Sequence, residues 1–297
     1  MPHMPQPTPQ VLALYEAWFG HPQHISVGYN VQDPATVARQ IAQAQSQGIF
    51  GFVVDWYGYR QPFIDQAYSV MQTEAAKAGF HVAMMYDETD AEDGATDETI
   101  EDLRLFYKKY LAQDSAGRSA YLMYGGRPVI FIFPKGNHTD WSTVRKEVDH
   151  WSPSPILVDE YQGEKDVPGV DGFYAWINPG SGGWAPDGSR WGQAYLEEFY
   201  GTMQNKFPQM MAVGGVWAGF NDKKASWSLN RHMDFRCGKT LADTESLWKQ
   251  ALAKHYMPFV MVETWNDYEE GTAIERGIDT CNGAPTNPNF ASLPQAH

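Results

Sequence analysis

Between Glu263 and Glu275 the chain reads ETWNDYEEGTAIE, a stretch that holds five carboxylates and two aromatic rings. It follows an apolar run, YMPFVMV (256–262), of the kind that builds a buried strand. A strand-to-helix connection needs only about two to six residues, a turn former and an N-cap. The acids exceed what a connection requires. Asp267 and Glu270 stand three apart, a spacing that puts both on one face where the loop is helical. Two close carboxyls repel when both are ionised, so one keeps its proton to higher pH and acid separates from base. That division of labour is what general acid–base chemistry needs.

The elements that must position such a pair can be read along the chain. Eight nearly continuous apolar runs recur, at 11–20, 48–58, 80–89, 127–136, 154–161, 170–179, 210–220 and 256–265. Continuous rather than alternating apolar character marks strands buried on both faces, as in parallel sheets covered by helices. Amphipathic segments lie between most of them. DPATVARQIAQAQSQG (33–48) opens on an Asp cap and a Pro and ends in Gly, and TDETIEDLRLFYKKYLA (96–112) carries acids first and lysines near its end, matching the helix dipole. The link between the fifth and sixth runs is short, so a helix there is expected to be missing or reduced. Eight βα units predict an α/β chain folded as a single-domain (β/α)8 TIM barrel over 11–297, preceded by a disordered Pro-rich leader at 1–10. An open doubly wound sheet is the rival, but no Gly-rich phosphate turn is present.

Active sites of such barrels lie at the C-terminal strand ends. Those ends carry Glu16 and Trp18, then Asp55, Trp56 and Tyr57, then Tyr86, Asp87 and Glu88, and Lys135. The later ones carry Asp159, Glu160 and Tyr161, then Trp176 and Asn178, then Trp217, Asn221 and Asp222, and finally Glu263, Trp265 and Asn266 ahead of the pair. Carboxylates beside indoles and phenols suit sugars, whose C–H faces stack on rings and whose hydroxyls bond to acids and amides. Cleaving a glycosidic bond needs two carboxyls that flank it. For each ring taken alone, core packing is an equal expectation.

The net charge of −14 argues against nucleic acid or an anionic membrane as partner. No apolar run reaches the length of a membrane span. HExxH, CxxC and GxSxG are absent, so neither a metal nor an organic cofactor is expected. The acidic stretch DETDAEDGATDE (87–98) lacks the spacing of a calcium loop and reads as a solvated loop. Cys237 and Cys281 are read either as two thiols or as one disulfide. The chain's start lacks the charged and apolar regions of a signal peptide. A secreted or periplasmic monomer is nevertheless expected.

The motif TWNDYEEGTAIE resembles the eighth-strand signature of glycoside hydrolase family 99, and its start is similar to the WNDYGES stretch of family 71, the α-1,3-glucanases. GIFGFVVDWYG, GGRPVIFIF and VGGVWAGFND are weaker echoes in the same order. The resemblance implies a (β/α)8 glycoside hydrolase cleaving an α-linked glucan or mannan, often internally. It places the two motif acids on Asp267 and Glu270, with Glu270 as general acid and Asp267 as base. The base position is Asp here, as in family 71, where family 99 has Glu. Both a 2-hydroxyl-activating retaining route and a water-activating inverting route therefore stay open. Asp55, Trp56, Tyr57, Glu88, Glu160, Tyr161, Trp176, Trp217, Trp265 and Asn266 are the expected substrate contacts. Glu269, Glu263 and Glu275 are expected to support the pair or face solvent. Two alternatives remain: a hydrolase whose acids are Glu88 or Glu160, and a barrel that binds glycan without cleaving it.

Overall fold

The structure, a computed structural model, describes residues 7–89, 91–163, 167–177, 191–233 and 238–276. Most of the expected leader lies outside these residues, as do Asn178, Cys237 and Cys281.

The elements run β1 (Gln10–Tyr15), α1 (Pro34–Ser46), β2 (Gly51–Trp56), α2 (Pro62–Ala78), β3 (His81–Asp87), α3 (Ala95–Phe106), β4 (Met123–Tyr124), β5 (Arg127–Phe133), α4 (Trp141–Val148) and β6 (Ile156–Glu160). They continue with β7 (Gly172–Tyr174), α5 (Gln193–Asn205), β8 (Met211–Trp217), α6 (Gly238–Leu252) and β9 (Phe259–Glu263). The strand order is β3-β2-β1-β9-β8-β7-β6-β5-β4, and β3 also pairs with β5. That extra pairing closes eight strands into the ring of a (β/α)8 barrel. β1 runs parallel to β9, β2 to β3, β3 to β5, β5 to β6 and β8 to β9. All eight apolar runs became ring strands. The ninth strand, β4, was not foreseen. It is a two-residue arm antiparallel to β5, joined to it through Gly125 and Gly126, both at positive φ, as a tight hairpin turn requires. No helix separates β6 from β7 among the described residues, in line with the short link.

Local rules set the helix ends. Asp33 accepts from the Ala35 and Thr36 amides ahead of α1. Asp140 does the same for Ser142 and Thr143 ahead of α4, and the hydroxyls of those two residues, with their amides, hold its carboxyl down at about 2. α2 starts with Pro62 and stops at Gly79, which takes the left-handed conformation at φ 63°.

By packing, the chain divides into two compact units. One comprises 1–13, 44–50 and 174–297, the other 14–43 and 51–173. In the second unit, successive residues of each strand face opposite ways. Tyr15 packs on Phe52 at 5.1 Å between ring centres and donates to Gln40 of α1 at 2.7 Å. Tyr86 reaches Asp102 of α3 at 3.1 Å. These side chains face the helices, so their neighbours Glu16, Asp55 and Asp87 face the other side. In the first unit, β8 carries adjacent glycines for the same reason. A Cβ on Gly214 would lie 2.4 Å from Trp248 of α6, and one on Gly215 would lie 2.8 Å from the Glu263 carboxylate. The core strands, such as FVMVE (β9), are buried along their whole length. Each fully buried Val or Ile there contributes about 1.5–3 kcal/mol of hydrophobic stabilisation.

Candidate active site

The loop after β9 folds back on itself. The Thr264 amide donates to Thr272 O at 3.3 Å, Ile274 N to Thr264 O at 3.1 Å, and Glu275 N to Trp265 O at 2.8 Å. The Thr264 and Thr272 hydroxyls meet at 3.0 Å, and the Tyr268 hydroxyl donates to Glu275 at 2.7 Å. Glu263, Glu269 and Glu275 are therefore buried parts of the loop rather than solvent-facing charges. Glu263 accepts from the Ile177 amide.

Within this loop Asp267 is 3% exposed. The segment is a turn and not a helix, and Asp267 itself holds the turn together. Its Oδ1 accepts the amides of Glu269 at 2.9 Å and Glu270 at 2.8 Å. A short polar side chain capping amides two and three residues ahead is a common turn device. It holds the Glu270 backbone against the Asp267 carboxylate. Burial, then repulsion from Glu270, pushes the Asp267 carboxyl well above the usual carboxylate range.

Glu270 is the more accessible of the two, with its side chain 19% exposed. Its Oε1 accepts the Trp227 indole N–H at 2.9 Å and lies 3.8 Å from the Arg231 guanidinium. Burial raises the Glu270 carboxyl, and Trp227 and Arg231 oppose that rise. Both partners come from the segment after β8, and Asp222 organises it. Asp222 is completely buried. It accepts from the Ser228 hydroxyl (2.9 Å), the Leu229 amide (3.2 Å), the Arg231 amide (2.8 Å) and Arg231 Nε (2.8 Å). Burial raises this carboxyl, but Arg231 and Ser228 outweigh that and leave it below its usual value. The Asn221 amide bonds to Glu270 O at 2.7 Å, tying the two loops together.

The second unit holds a different group of acids. Glu16, Asp55, Tyr57 and Asp87 lie close enough together for their side chains to act on one another's ionisation. Lys135 Nζ pairs with Asp87 at 2.7 Å and sits 4.4 Å over the Tyr57 ring. Burial pushes Asp55 up to about 6 against the pull of Lys135. Glu88 accepts from the Trp141 indole at 2.6 Å and is raised by burial. Burial also lifts Asp159 to about 7 and Glu160 to about 8, the latter with help from Asp159.

The other expected contacts are distributed unevenly. Trp56 faces the helices: it bonds to Asp65 of α2 at 3.3 Å and packs edge-on to Phe106 at 5.2 Å, with no exposed surface. Asp55 faces the interior, and strand alternation turns Trp56 away from it. Tyr161 is buried, edge-on to Phe173. Trp217, Trp265 and Asn266 are also fully buried, and the Trp217 indole donates to Trp191 O at 2.9 Å. Trp176 is half-buried, with its amide on the Tyr195 hydroxyl at 3.0 Å. The sequence reading missed Trp227 and Arg231. Only the Trp in an otherwise polar loop, KKASWSLN (223–230), marked the place.

A family model described as "Glycosyl hydrolase family 71" matches residues 23–281. The chain belongs to glycosyl hydrolase family 71. This family 71 chain is therefore a glycoside hydrolase, with carbohydrate as its substrate class. Two solved structures of the GH99 endo-alpha-mannosidase of Bacteroides thetaiotaomicron resemble it at 16% identity and TM-score 0.72. The one in complex with BIS-TRIS-propane covers 95% of this chain and 92% of its own, the other 93% and 90%. A structure described as "Glycoside hydrolase-like protein" aligns at 14% identity and TM-score 0.64, covering 91% of this chain and 87% of its own. At such identities these neighbours establish the barrel fold. Comparison with curated protein sequences finds no match.

Proposed function

We propose that this chain cleaves an α-linked glucan or mannan at internal bonds, with Glu270 as general acid and Asp267 as base. The loop after β9 carries this reading: two carboxyls three residues apart, one accepting the Glu269 and Glu270 amides and the other held by an indole. Burial and mutual repulsion keep one proton on the pair above the ordinary carboxylate range. Hydrolysis needs that proton on Glu270 and the charge on Asp267, the state that the Glu269 and Glu270 amides on Asp267 favour. Glu270 gives its proton to the glycosidic oxygen as the bond to the anomeric carbon breaks. Asp267 takes a proton from the attacking group, either water or the sugar's own 2-hydroxyl. Family 71 membership and the neighbouring endo-acting enzymes favour α-1,3-glucan first and α-mannan second. Secretion as a monomer fits a polymeric substrate.

Activity on α-1,3-gluco-oligosaccharides should follow a bell-shaped pH profile. Its basic limb should lie above the normal range of a glutamate, because loss of the pair's last proton removes the acid. Following the product anomers by NMR distinguishes water attack from 2-hydroxyl attack. If neither α-1,3-glucan nor α-mannan is cleaved by a folded sample, the substrate proposal fails.

A second reading draws on Glu160, whose carboxyl is held protonated to about 8 and so meets one requirement of a general acid. Comparing Glu160→Gln with Glu270→Gln on the same oligosaccharide decides between them. A sample that retains glycan but releases nothing favours the binding class instead.

A further inference from the structure

Trp227 combines two properties rarely found in one side chain. Its N–H is committed to Glu270 Oε1 at 2.9 Å, yet the residue is 42% exposed, one of the few large apolar side chains left open to solvent. An exposed tryptophan with a fixed indole N–H has one orientation to offer. The fixing is redundant. Buried Asp222 braces the segment through four hydrogen bonds, and Asn221 ties it to Glu270 itself. Leu229, two residues on, is 65% exposed.

The hydrogen bond also distinguishes the two oxygens of Glu270. Oε1 accepts the indole N–H and faces the Arg231 charge at 3.8 Å. An oxygen that accepts from a donor is the carbonyl-like oxygen of a protonated carboxyl. The transferable proton then belongs on Oε2, pointing away from the indole.

We infer that Trp227 is a positioning residue for this reaction: its N–H directs the Glu270 proton to Oε2, and its exposed ring is the platform for the sugar that leaves with that proton. The inference deepens the reading of Glu270 as general acid and rests on it. A leaving sugar stacked on the ring has its glycosidic oxygen delivered to the acid beside it, which is a proximity effect as well as a binding one. As the bond to the anomeric carbon breaks, the bonding electrons go to the glycosidic oxygen. That oxygen takes the proton from Oε2, and Glu270 is left as a carboxylate, its charge stabilised by the indole N–H.

The test compares Trp227→Phe, which keeps a ring and loses the N–H, with Trp227→Ala, which loses both. The substrates are an α-1,3-gluco-oligosaccharide and a matched α-glucoside with a nitrophenyl leaving group, which needs little protonation. With Trp227→Phe, kcat on the oligosaccharide should fall about 10- to 100-fold with KM nearly constant. The basic limb should move upward, because a donor that favoured the ionised acid is gone. The nitrophenyl substrate should lose under about 3-fold, since its leaving group needs little proton donation. Trp227→Ala should add a rise in KM on the oligosaccharide. An unmoved pH profile and an equal loss on both substrates in Trp227→Phe would overturn the inference. Glu270→Gln is run alongside. If it loses the oligosaccharide and keeps the nitrophenyl substrate, the acid assignment stands whatever Trp227 does. If it keeps both, that assignment fails first.

Discussion

The two units surround their buried acids differently. After β8 and β9, three acids are bonded to donors that favour their charge: amides on Asp267, an indole and a guanidinium on Glu270, amides and Arg231 on Asp222. In the second unit the acids raise one another's proton affinity, Asp55 that of Asp87 and Asp159 that of Glu160, with Lys135 paired to Asp87 and set over the Tyr57 ring. The first arrangement fixes each carboxyl through donors on the two loops. The second sets its acids near one another, with a lysine and a phenol among them. Similar acids in similar burial thus acquire different chemistry from their partners.

The largest effect should come from Glu270→Gln, with loss of about 10²–10⁴ in kcat on an unactivated oligosaccharide. Glu88→Gln and Glu160→Gln should each cost about 10-fold or less, through binding. Reducing-end release reads all three, and the contrast between units collapses if Glu160→Gln is the inactive one. Next comes stability. Asp222→Ala leaves the Arg231 side chain and two amides without their buried acceptor, so unfolding should become easier by about 3 kcal/mol. Scanning calorimetry should show the melting temperature several degrees lower, and activity should fall with it.

A smaller effect concerns pH and the second unit. Asp159 at about 7 and Glu160 at about 8 lie above their unfolded values. The folded chain therefore binds more protons than the unfolded one across the window between. Their contribution to stability is complete below about pH 4 and is lost as pH rises through 7 to 8. Melting temperature should decline over that range, and Asp159→Asn combined with Glu160→Gln should flatten the decline. A slope unchanged by the double variant would show that these acids do not set it. Smallest is Gly271→Ala. With φ at +65° and the new Cβ 3.1 Å from Asn221 O, it should cost about 1–2 kcal/mol in chemical denaturation. Gly28→Ala, also at positive φ but in open space, should cost less.

Most of the ring was legible because buried parallel strands leave long apolar runs. Asp33, Pro62 and Gly79 marked helix ends through local chemistry alone. β4 was not legible, since two exposed residues and a Gly-Gly turn carry no periodicity. The Asp267–Glu270 spacing was legible, but its geometry came from a side-chain cap on amides, and spacing cannot distinguish that from a helical turn. The direction of Trp56 was not legible because it adjoins Asp55 at the strand end, and only the pleat separates the face of one from the face of the other. Trp227 was hidden because its importance comes from a bond to a residue 43 positions away.

Strand β8 has one more implication. At Gly214 and Gly215 it is bare ribbon, gripped by an indole from the helix side and by a carboxylate from the interior. A substitution that shifts α6 by a fraction of an ångström has a mechanical route to Glu263 one peptide thick, with no side chain between to absorb it. Residues along that helix are therefore places where drift in sequence can be felt at the root of the loop after β9.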